Sequence, residues 1–355
     1  MNPRQSRTNL CGWTLGIALV FCNDTATIRR SVSAERPRRT ISSKFDAVTT
    51  LQLSNDGRTL LIGGYQESNP RPQRSSAIFD SGQLATINVD GSQETHRIDT
   101  HAAPARMFPC SDGTTFVIHC YDASVYTFSN VDAKLSHLVA IEANELAYCS
   151  RSSEAVCSSI ELGVCIWRFE PISADVRRIV TLKRHVANRC APVAISSDGS
   201  KVAFAEFKDA KRRNDITLTV LRRDNIDVSV LHWQYDGCIG PIQFSPNGRS
   251  IAVAEPGNDI SLLDLVSGKR IWTLSSMKAR HSGIIDLSFG KDGKYLVATM
   301  YGGVRTVEVA TGKVVREYDY VGPTATVIIP DKNVLAIAGN RGGAESTIDF
   351  WELSD

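Results

Sequence analysis

Seven times along this chain, a polar turn is followed at once by a short apolar run. The clearest copy is "SPNGRSIAVA" at residues 245–254. Gly is favourable in such a turn because hairpin turns require positive φ. The turns recur at intervals of 40 to 56 residues, at Asp56, Asp112, Ser152, Asp198, Asn247, Asp292 and Lys332. A repeat of this length indicates a solenoid or a propeller.

Each copy also contains the other parts of a four-stranded antiparallel sheet. In the fifth copy, "IGPIQFS" precedes the turn, and "SIAVAE", "DISLLDLVSGK" and "RIWTLSS" follow it. Four short β-rich runs separated by turn residues predict one small sheet. Because both faces of such a sheet are apolar, it must stack on neighbours. We therefore predict an all-β fold, a seven-bladed β-propeller of four-stranded antiparallel blades around a channel.

The two ends of the chain predict how the ring closes. The seventh copy stops after its third strand, "STIDFWELSD", so its sheet lacks one strand. The segment "RTISSKF" at residues 39–45 precedes the first copy and has the composition of a strand. We predict that it pairs with residues 348–353 as the outer strand of the last blade. The predicted organisation is an N-terminal tail, residues 1–38, followed by one propeller domain, residues 39–355.

The third strands and the turns after them resemble those of WD40 repeats. The resemblance is carried by "CIWRF" at 165–169, "LLDLVSGK" at 262–269 and "VEVATGK" at 307–313. In that family, an acidic residue in a tight turn is followed six residues later by Trp. This spacing is kept by Asp122 with Phe128, Glu161 with Trp167 and Glu345 with Trp351. Ile87, Leu263 and Val307 stand where Trp is expected.

The resemblance implies structural roles for particular residues. Asp122 and Glu161 are expected to hold tight turns, and Trp167 and Trp351 to be largely buried between blades. The family's histidines before the first strands have counterparts in His101, His185 and His281. For these we expect structural hydrogen bonds, because buried imidazoles need partners.

The charge of the chain is unevenly distributed. The net charge is +2, yet the first 40 residues contain seven arginines and only two acidic residues, so the remainder is slightly acidic. A slightly acidic propeller is not expected to bind nucleic acid. Arg4 and Arg7 precede thirteen uncharged residues, 10–22, which match the apolar region of a signal peptide and are too short for a transmembrane helix. The tail is therefore interpreted as either a signal peptide or a disordered segment.

Cysteine usage bears on the location of the protein. The propeller contains an odd number of cysteines in strand-like runs, which is typical of buried thiols in a reducing compartment. This favours the cytoplasm, whereas the N-terminal segment favours export, and both remain open. Cys157 and Cys165 flank a predicted hairpin and could form a disulfide in an exported protein.

No residue pattern predicts a metal, a cofactor or a catalytic group. None of the seven histidines lies in a His-x-x-x-His arrangement, and no Cys-x-x-Cys pair is present. The main hypothesis is a monomeric, non-enzymatic scaffold for protein–protein interaction. The alternative is a propeller enzyme, such as a hydrolase or lactonase, acting at the channel mouth. It would need convergent carboxylates or histidines from several blades, and the sequence pattern does not identify that set.

Surface loops are the predicted binding elements. Two insertions, 65–80 and 208–215, fall on the same rim of the propeller, together with the shorter segment 340–346. The predicted partner-binding residues of this basic rim are Arg71, Arg74, Lys208, Lys211, Arg212, Arg213 and Arg341. Such a rim is expected to bind an acidic protein or peptide through charge-assisted contacts. The alternative interpretation is loop solubility, with acidic residues of the same segments cancelling much of the charge.

Overall fold

The chain folds into seven antiparallel sheets of four strands each. A computed structural model describes residues 36–66, 81–90, 94–141, 143–159, 162–170, 175–183, 191–209, 212–275, 283–320, 322–339 and 346–353. Residues from Pro37 onward belong to one compact unit. In the described part of the chain, no helix has the length and apolar character needed to cross a membrane. The predicted signal-peptide segment lies outside the described residues.

The first three blades follow one another along the chain. Blade 1 contains β2 (Ala47–Leu53), β3 (Thr59–Tyr65), β4 (Gly82–Asn88) and β5 (Glu94–Thr100). Blade 2 contains β6 (Pro104–Pro109), β7 (Thr115–Cys120), β8 (Ser124–Ser129) and β9 (Lys134–Ala140). Blade 3 contains β10 (Glu145–Cys149), β11 (Glu154–Ser159), β12 (Gly163–Glu170) and β13 (Asp175–Lys183).

The remaining blades continue in the same order, and the last one takes its outer strand from the N-terminal end. Blade 4 contains β14 (Val193–Ile195), β15 (Lys201–Asp209), β16 (Arg212–Arg222) and β17 (Asn225–Asp236). Blade 5 contains β18 (Ile242–Phe244), β19 (Ser250–Ala254), β20 (Ile260–Asp264) and β21 (Arg270–Leu274). Blade 6 contains β22 (Ile284–Phe289), β23 (Tyr295–Met300), β24 (Gly303–Glu308) and β25 (Val314–Tyr318). Blade 7 contains β26 (Pro323–Ile329), β27 (Val334–Gly339), β28 (Thr347–Glu352) and β1 (Arg39–Ser42).

Strand β1 completes blade 7, which confirms the predicted closure of the ring. It runs antiparallel to β28, with Arg39 opposite Phe350 and Ser42 opposite Thr347. The paired segment is shorter than the predicted 39–45, because the chain leaves the strand at Lys44, where φ is +56°.

The residues after β1 continue the contact with blade 7. The Ser43 hydroxyl donates to the carbonyl of Ser346 at 2.6 Å, and the Ser346 N–H donates to the carbonyl of Phe45 at 2.8 Å. Phe45 is fully buried in a cluster that contains Val48 of blade 1 and Ile348 of blade 7. We call β1, Ser43 and Phe45 the latch.

The seven predicted turns share one backbone geometry. The fourth residue of five of them is a Gly with φ between 62° and 78°, and these are Gly57, Gly113, Gly199, Gly248 and Gly293. In the two copies without Gly, Ser153 and Asn333 adopt the same left-handed conformation, with φ of 53° and 50°. The repeat is therefore preserved in the backbone even where its sequence signal has been lost.

The core consists of apolar clusters between neighbouring blades. Each of the seven clusters joins one blade to the next, and the series ends with the cluster between blades 7 and 1. In most pairs of neighbouring blades the first strands also contact each other, which places them around the channel. Because each sheet buries both faces against neighbours, no blade has a core of its own.

Tryptophans on two outer strands donate hydrogen bonds to the next blade. These contacts lie on the face of the ring opposite to the links between blades. The Trp233 indole of blade 4 donates to the carbonyl of Gly268 in blade 5 at 3.3 Å. The Trp272 indole of blade 5 donates to the carbonyl of Val309 in blade 6 at 2.8 Å. Gly312 packs against the Trp272 ring, since a Cβ atom at this position would lie 2.7 Å from Cγ of Trp272.

We predict that Gly312→Ala destabilises the propeller by more than Gly113→Ala. Both glycines have positive φ, 70° and 78°, which costs an alanine about 1–2 kcal/mol. A Cβ atom at Gly113 meets nothing within 4 Å, whereas at Gly312 it displaces the Trp272 ring. Denaturant titrations of the two variants measure this difference. Equal losses would contradict the packing of Trp272 on Gly312.

Candidate interaction face and channel mouth

The two faces of the ring carry different connections. The links between blades and the turns between second and third strands lie on one face, which we call the upper face. The turns Tyr121–Ala123 of blade 2 and Tyr301–Gly302 of blade 6 belong to it. The seven repeated turns, between first and second strands, lie on the lower face. Of the predicted binding residues, those that the structure describes, Lys208, Arg212 and Arg213, lie on strands that run to the upper face.

Blade 4 rises above its neighbour at the upper face. Strands β15 and β16 have nine and eleven residues, whereas the matching strands of blade 5 have five each. Ala205 and Ala254 occupy matching positions, because their N–H groups donate to Pro192 and Pro241, at the entries of blades 4 and 5, at 3.2 and 3.0 Å. Strand β15 continues for four residues beyond Ala205. Strand β15 therefore continues for about 13 Å beyond the level at which β19 of blade 5 ends.

The sequence-based interpretation of residues 208–215 as a loop is wrong. Strand β15 runs to Asp209 and β16 begins at Arg212, and these two residues face each other. Asp215 faces Asp236 of β17, so three strands take part in the projection. The segment lacks the apolar alternation that marks a strand with one buried face, and its strands are held by backbone pairing.

The structure describes only part of the predicted basic rim. Lys208 lies on β15, and Arg212 and Arg213 lie at the start of β16, all on the projecting hairpin. The rim residues outside the described part of the chain are Arg71, Arg74, Lys211 and Arg341.

Three charged side chains meet inside the channel near the upper face. Arg106 of β6 places Nη1 2.9 Å from Oδ1 of Asp286 on β22. Its Nη2 lies 3.8 Å from Oε2 of Glu145 on β10. Blades 2 and 6 are not neighbours, so the contact between Arg106 and Asp286 crosses the channel. We call these three residues the channel triad.

The channel triad was not predicted from the sequence, although the sequence contains a signal for it. The seven first strands, all of which the structure describes, contain three charged residues, and these are the three members of the triad. A β-bulge lies directly before both Arg106 and Asp286. Bulges redirect the side chains that follow them. A search for charged residues on the predicted innermost strands would have found the three residues. It would not have shown that their side chains meet in the channel.

The channel triad is electrostatically unbalanced, because two carboxylates share one guanidinium. Burial raises the pKa of Glu145, and Asp286 adds to this rise, while Arg106 acts in the opposite direction. Burial alone would lower the pKa of Arg106, but Asp286 and Glu145 raise it above its ordinary value. The guanidinium therefore stays charged, and 36% of the Arg106 side chain remains exposed within the channel.

Each member of the triad is positioned by a neighbour on the second strand. His119, Ser158 and Thr299 pair with Arg106, Glu145 and Asp286 in the sheets. All three neighbours also bond to the next blade. The contacts are His119 Nε2 with the Ala143 carbonyl at 3.2 Å, Ser158 with the Ala191 carbonyl at 2.8 Å, and Thr299 with the Thr326 hydroxyl at 2.8 Å. The backbone that carries the triad is therefore held both by pairing within each blade and by hydrogen bonds towards the next blade.

His119 is a structural group at this site. It is 3% exposed, and burial, aided by Arg106, lowers its pKa to about 4. The imidazole is therefore neutral at pH 7, and Nε2 carries the proton donated to the Ala143 carbonyl.

Two exposed tyrosines flank the triad at matching positions of blades 2 and 6. The Tyr121 N–H donates to the carbonyl of Ala103, just before β6, at 3.0 Å. The Tyr301 N–H donates to the carbonyl of Gly283, just before β22, at 3.2 Å. A Cβ atom at Gly283 would stand 2.6 Å from the Tyr301 ring, so Gly makes room for it. The tyrosines are 39% and 48% exposed, and each covers the entry of a strand that carries a triad residue.

The structural residues implied by the family resemblance have different environments. The Asp122 carboxylate accepts the N–H of Ser124 at 3.0 Å and also its hydroxyl, in the tight turn of blade 2. Trp351 is 7% exposed, between blades 6 and 7. Trp167 is more exposed than Trp351; it packs against the cluster between blades 2 and 3, and its outer neighbour Arg178 is exposed.

The remaining predicted structural residues are placed as follows. His101 is exposed in the link between blades 1 and 2. Glu161, His185 and His281 lie outside the described residues.

Cys157 and Cys165 face each other on neighbouring strands, as free, fully buried thiols. Burial and the adjacent Cys165 raise the pKa of the Cys157 thiol to about 12. Thiols with such a pKa are weak nucleophiles at neutral pH.

Comparisons with known proteins support the fold. No protein-family model matches the chain. The chain is 22% identical over 313 residues to Minichromosome loss protein 1 of Schizosaccharomyces pombe, covering 84% of this chain and 34% of that protein. It thus spans about a third of the length of the curated relative it matches. The solved β-propeller domain of Cps50 (Swd1) from Myceliophteria thermophila has a TM-score of 0.69 at 14% identity, covering 90% of this chain and 100% of that one.

At these sequence identities, the similarity supports the fold of this chain but says nothing about its activity. The ring of four-stranded sheets in this chain agrees with its likeness to a solved β-propeller domain. The chain is, in fold, a divergent WD40-like β-propeller.

Proposed function

We propose that the chain is a non-enzymatic scaffold that binds a partner protein on its upper face. The observation that carries the proposal is the projecting hairpin of blade 4, whose strand β15 continues for about 13 Å beyond the level at which β19 of blade 5 ends. Elements that project from a propeller scaffold are where binding residues are commonly found. Neither similar protein has a name that describes an enzymatic activity.

The hairpin favours a partner with an acidic segment. Residues 208–215 contain four basic and two acidic residues, so this segment is net positive. Lys and Arg form charge-assisted hydrogen bonds with carboxylates, and Arg does so with two parallel contacts. The other predicted rim residues Arg71, Arg74 and Arg341 lie outside the described residues; if they occupy the same face, as the sequence predicts, they would add to this attraction.

We predict that the double reversal Arg212→Glu with Arg213→Glu abolishes capture of the partner without changing the melting temperature. Exposed charges contribute little to stability, whereas reversal turns attraction into repulsion. The measurement is a pull-down from cells that express the protein, at low and high salt. A matched control, Lys291→Glu with Lys313→Glu, makes the same charge change on the lower face, where both lysines are exposed.

Wild type and control are expected to recover the same partners, with weaker recovery at high salt. The reversal variant is expected to lose them. Equal recovery by all three proteins would contradict a role for the basic hairpin. A wild-type protein that recovers no partner would contradict the scaffold itself.

A channel-mouth enzyme is the second candidate, and one observation favours it. Glu145 and Asp286 converge from blades 3 and 6, and burial raises the pKa of Glu145. Many hydrolases use two nearby carboxyl groups, one of which has a raised pKa. Arg106 holds both groups, which favours the scaffold. Turnover of chromogenic esters or lactones that disappears in Glu145→Gln would establish the enzyme.

A further inference from the structure

We propose that the channel triad, together with Tyr121 and Tyr301, forms a socket for one cationic side chain, Lys or Arg, of a partner protein. The inference rests on the proposed function, since it names the anchor by which a partner would be held on the upper face. It concerns a different set of residues from the basic hairpin, and the two are tested separately.

The charge of the socket selects a cation. Two carboxylates face one guanidinium, and the Arg106–Glu145 contact at 3.8 Å is longer than a hydrogen bond. Glu145 and Asp286 keep 25% and 27% of their side chains exposed, so an incoming donor can reach them. An ammonium or guanidinium placed there would neutralise the excess negative charge. A carboxylate placed there would add to it.

The tyrosines supply the second element of the socket. Tyr121 is close enough to Arg106, Glu145 and Tyr301 for their charges to influence its pKa, which burial raises. The faces of aromatic rings attract cations, with Tyr among the effective residues. Their placement over the entries of β6 and β22 puts exposed rings beside the strands that carry Arg106 and Asp286.

The socket is preorganised, which separates it from a chance cluster of charges. The backbone under each triad residue is paired with a second-strand residue that also bonds to the next blade. Preorganised groups lose little freedom when a ligand binds. A structural tie between blades is the other role for such a triad, and the two roles predict opposite effects of removing Arg106.

The test uses three small probes and the full chain at low salt. The probes are the N-acetyl methylamides of arginine, of citrulline and of glutamic acid, and binding is measured by saturation-transfer NMR. Citrulline has nearly the shape of arginine without its charge. The arginine probe is expected to bind with a Kd on the order of 1 mM, as its size allows. Citrulline and glutamate probes are expected not to bind measurably.

The variants are chosen so that an increase or a decrease in affinity for the arginine probe distinguishes a binding socket from a structural tie. Glu145→Gln and Asp286→Asn should weaken binding of the arginine probe about tenfold or more, the loss expected for a charge-assisted contact. Arg106→Gln should strengthen it, because the resident guanidinium no longer competes for the carboxylates. Glu317→Gln, on the exposed outer strand β25, is the matched control and should leave binding unchanged.

Tyr301→Leu provides a variant that leaves every triad contact in place. It should weaken binding severalfold through the loss of the ring face. Melting temperatures are recorded for all variants, so that loss of folding is recognised as such.

Three results would overturn the inference. These are equal binding of the arginine and citrulline probes, absence of arginine binding to a folded wild type, or weaker binding after Arg106→Gln. If the glutamate probe binds and Arg106→Gln abolishes it, the socket takes anions. Partner capture in the pull-down is read independently, so failure of the socket leaves the scaffold proposal standing.

Discussion

Deletion of residues 1–45 is expected to unfold the propeller, whereas deletion of residues 1–34 is expected to leave its free energy of unfolding unchanged. The longer deletion removes the whole latch, and with it Phe45, which is fully buried between blades 1 and 7. Loss of a buried Phe side chain costs about 3–5 kcal/mol. Each lost backbone hydrogen bond to blade 7 adds about 1 kcal/mol.

These losses are comparable to the entire stability of an ordinary domain, about 5–15 kcal/mol. The longer deletion also leaves β28 as an unpaired edge, which promotes aggregation. The shorter deletion ends before Arg38, whose N–H donates to the Phe350 carbonyl at 2.8 Å. Circular dichroism with denaturant titration measures both proteins. Equal stability of the two deletions would show that the ring does not depend on the latch.

The blades were predictable because their signals are local. A turn and the strand after it lie within about ten residues of one another, and the backbone repeats even at Ser153 and Asn333, where the Gly is absent. The latch was predicted by counting strands, because the last blade lacked its fourth strand and the segment before the first blade was a strand without a sheet. Both inferences need only the order of elements along the chain.

Contacts between distant blades were not predictable in this way. Arg106 and Asp286 are 180 residues apart in sequence and meet only because the ring brings blades 2 and 6 across the channel. Glu154 of blade 3 is buried and binds Arg223 of blade 4, 69 residues away, at 3.2 Å. No local pattern connects such residues, because their partnership depends on the closed ring.

The projecting hairpin was misread for a different reason. Periodicity reveals a strand when one of its faces is buried, and residues 208–215 contain Ala210 as their single apolar residue. Backbone pairing of β15 with β16, with Asp209 opposite Arg212, holds the strands together without that signal. The sequence therefore located the segment on the correct face and assigned it the wrong conformation.

Trp351 is more deeply buried than Trp167, although both occupy the same position of the repeat. We therefore expect truncation of Trp351 to cost more stability than truncation of Trp167. Trp351→Ala is expected to lower the free energy of unfolding by about 3–5 kcal/mol. The Trp351 ring is 7% exposed and makes an edge-to-face contact with Tyr318 of blade 6, with ring centroids 5.6 Å apart. Removing it opens a cavity between blades 6 and 7.

Trp167→Ala is the matched variant, because it makes the same substitution at the same position of another blade. Trp167 is half-buried beside the exposed Arg178, so its removal is expected to cost about 1–2 kcal/mol. Denaturant titrations of both variants, with unchanged m-values, give the two free energies. A loss at Trp351 no larger than the loss at Trp167 would contradict the burial that separates the two sites. A neutral Trp351→Ala would mean that blades 6 and 7 are not packed through this ring.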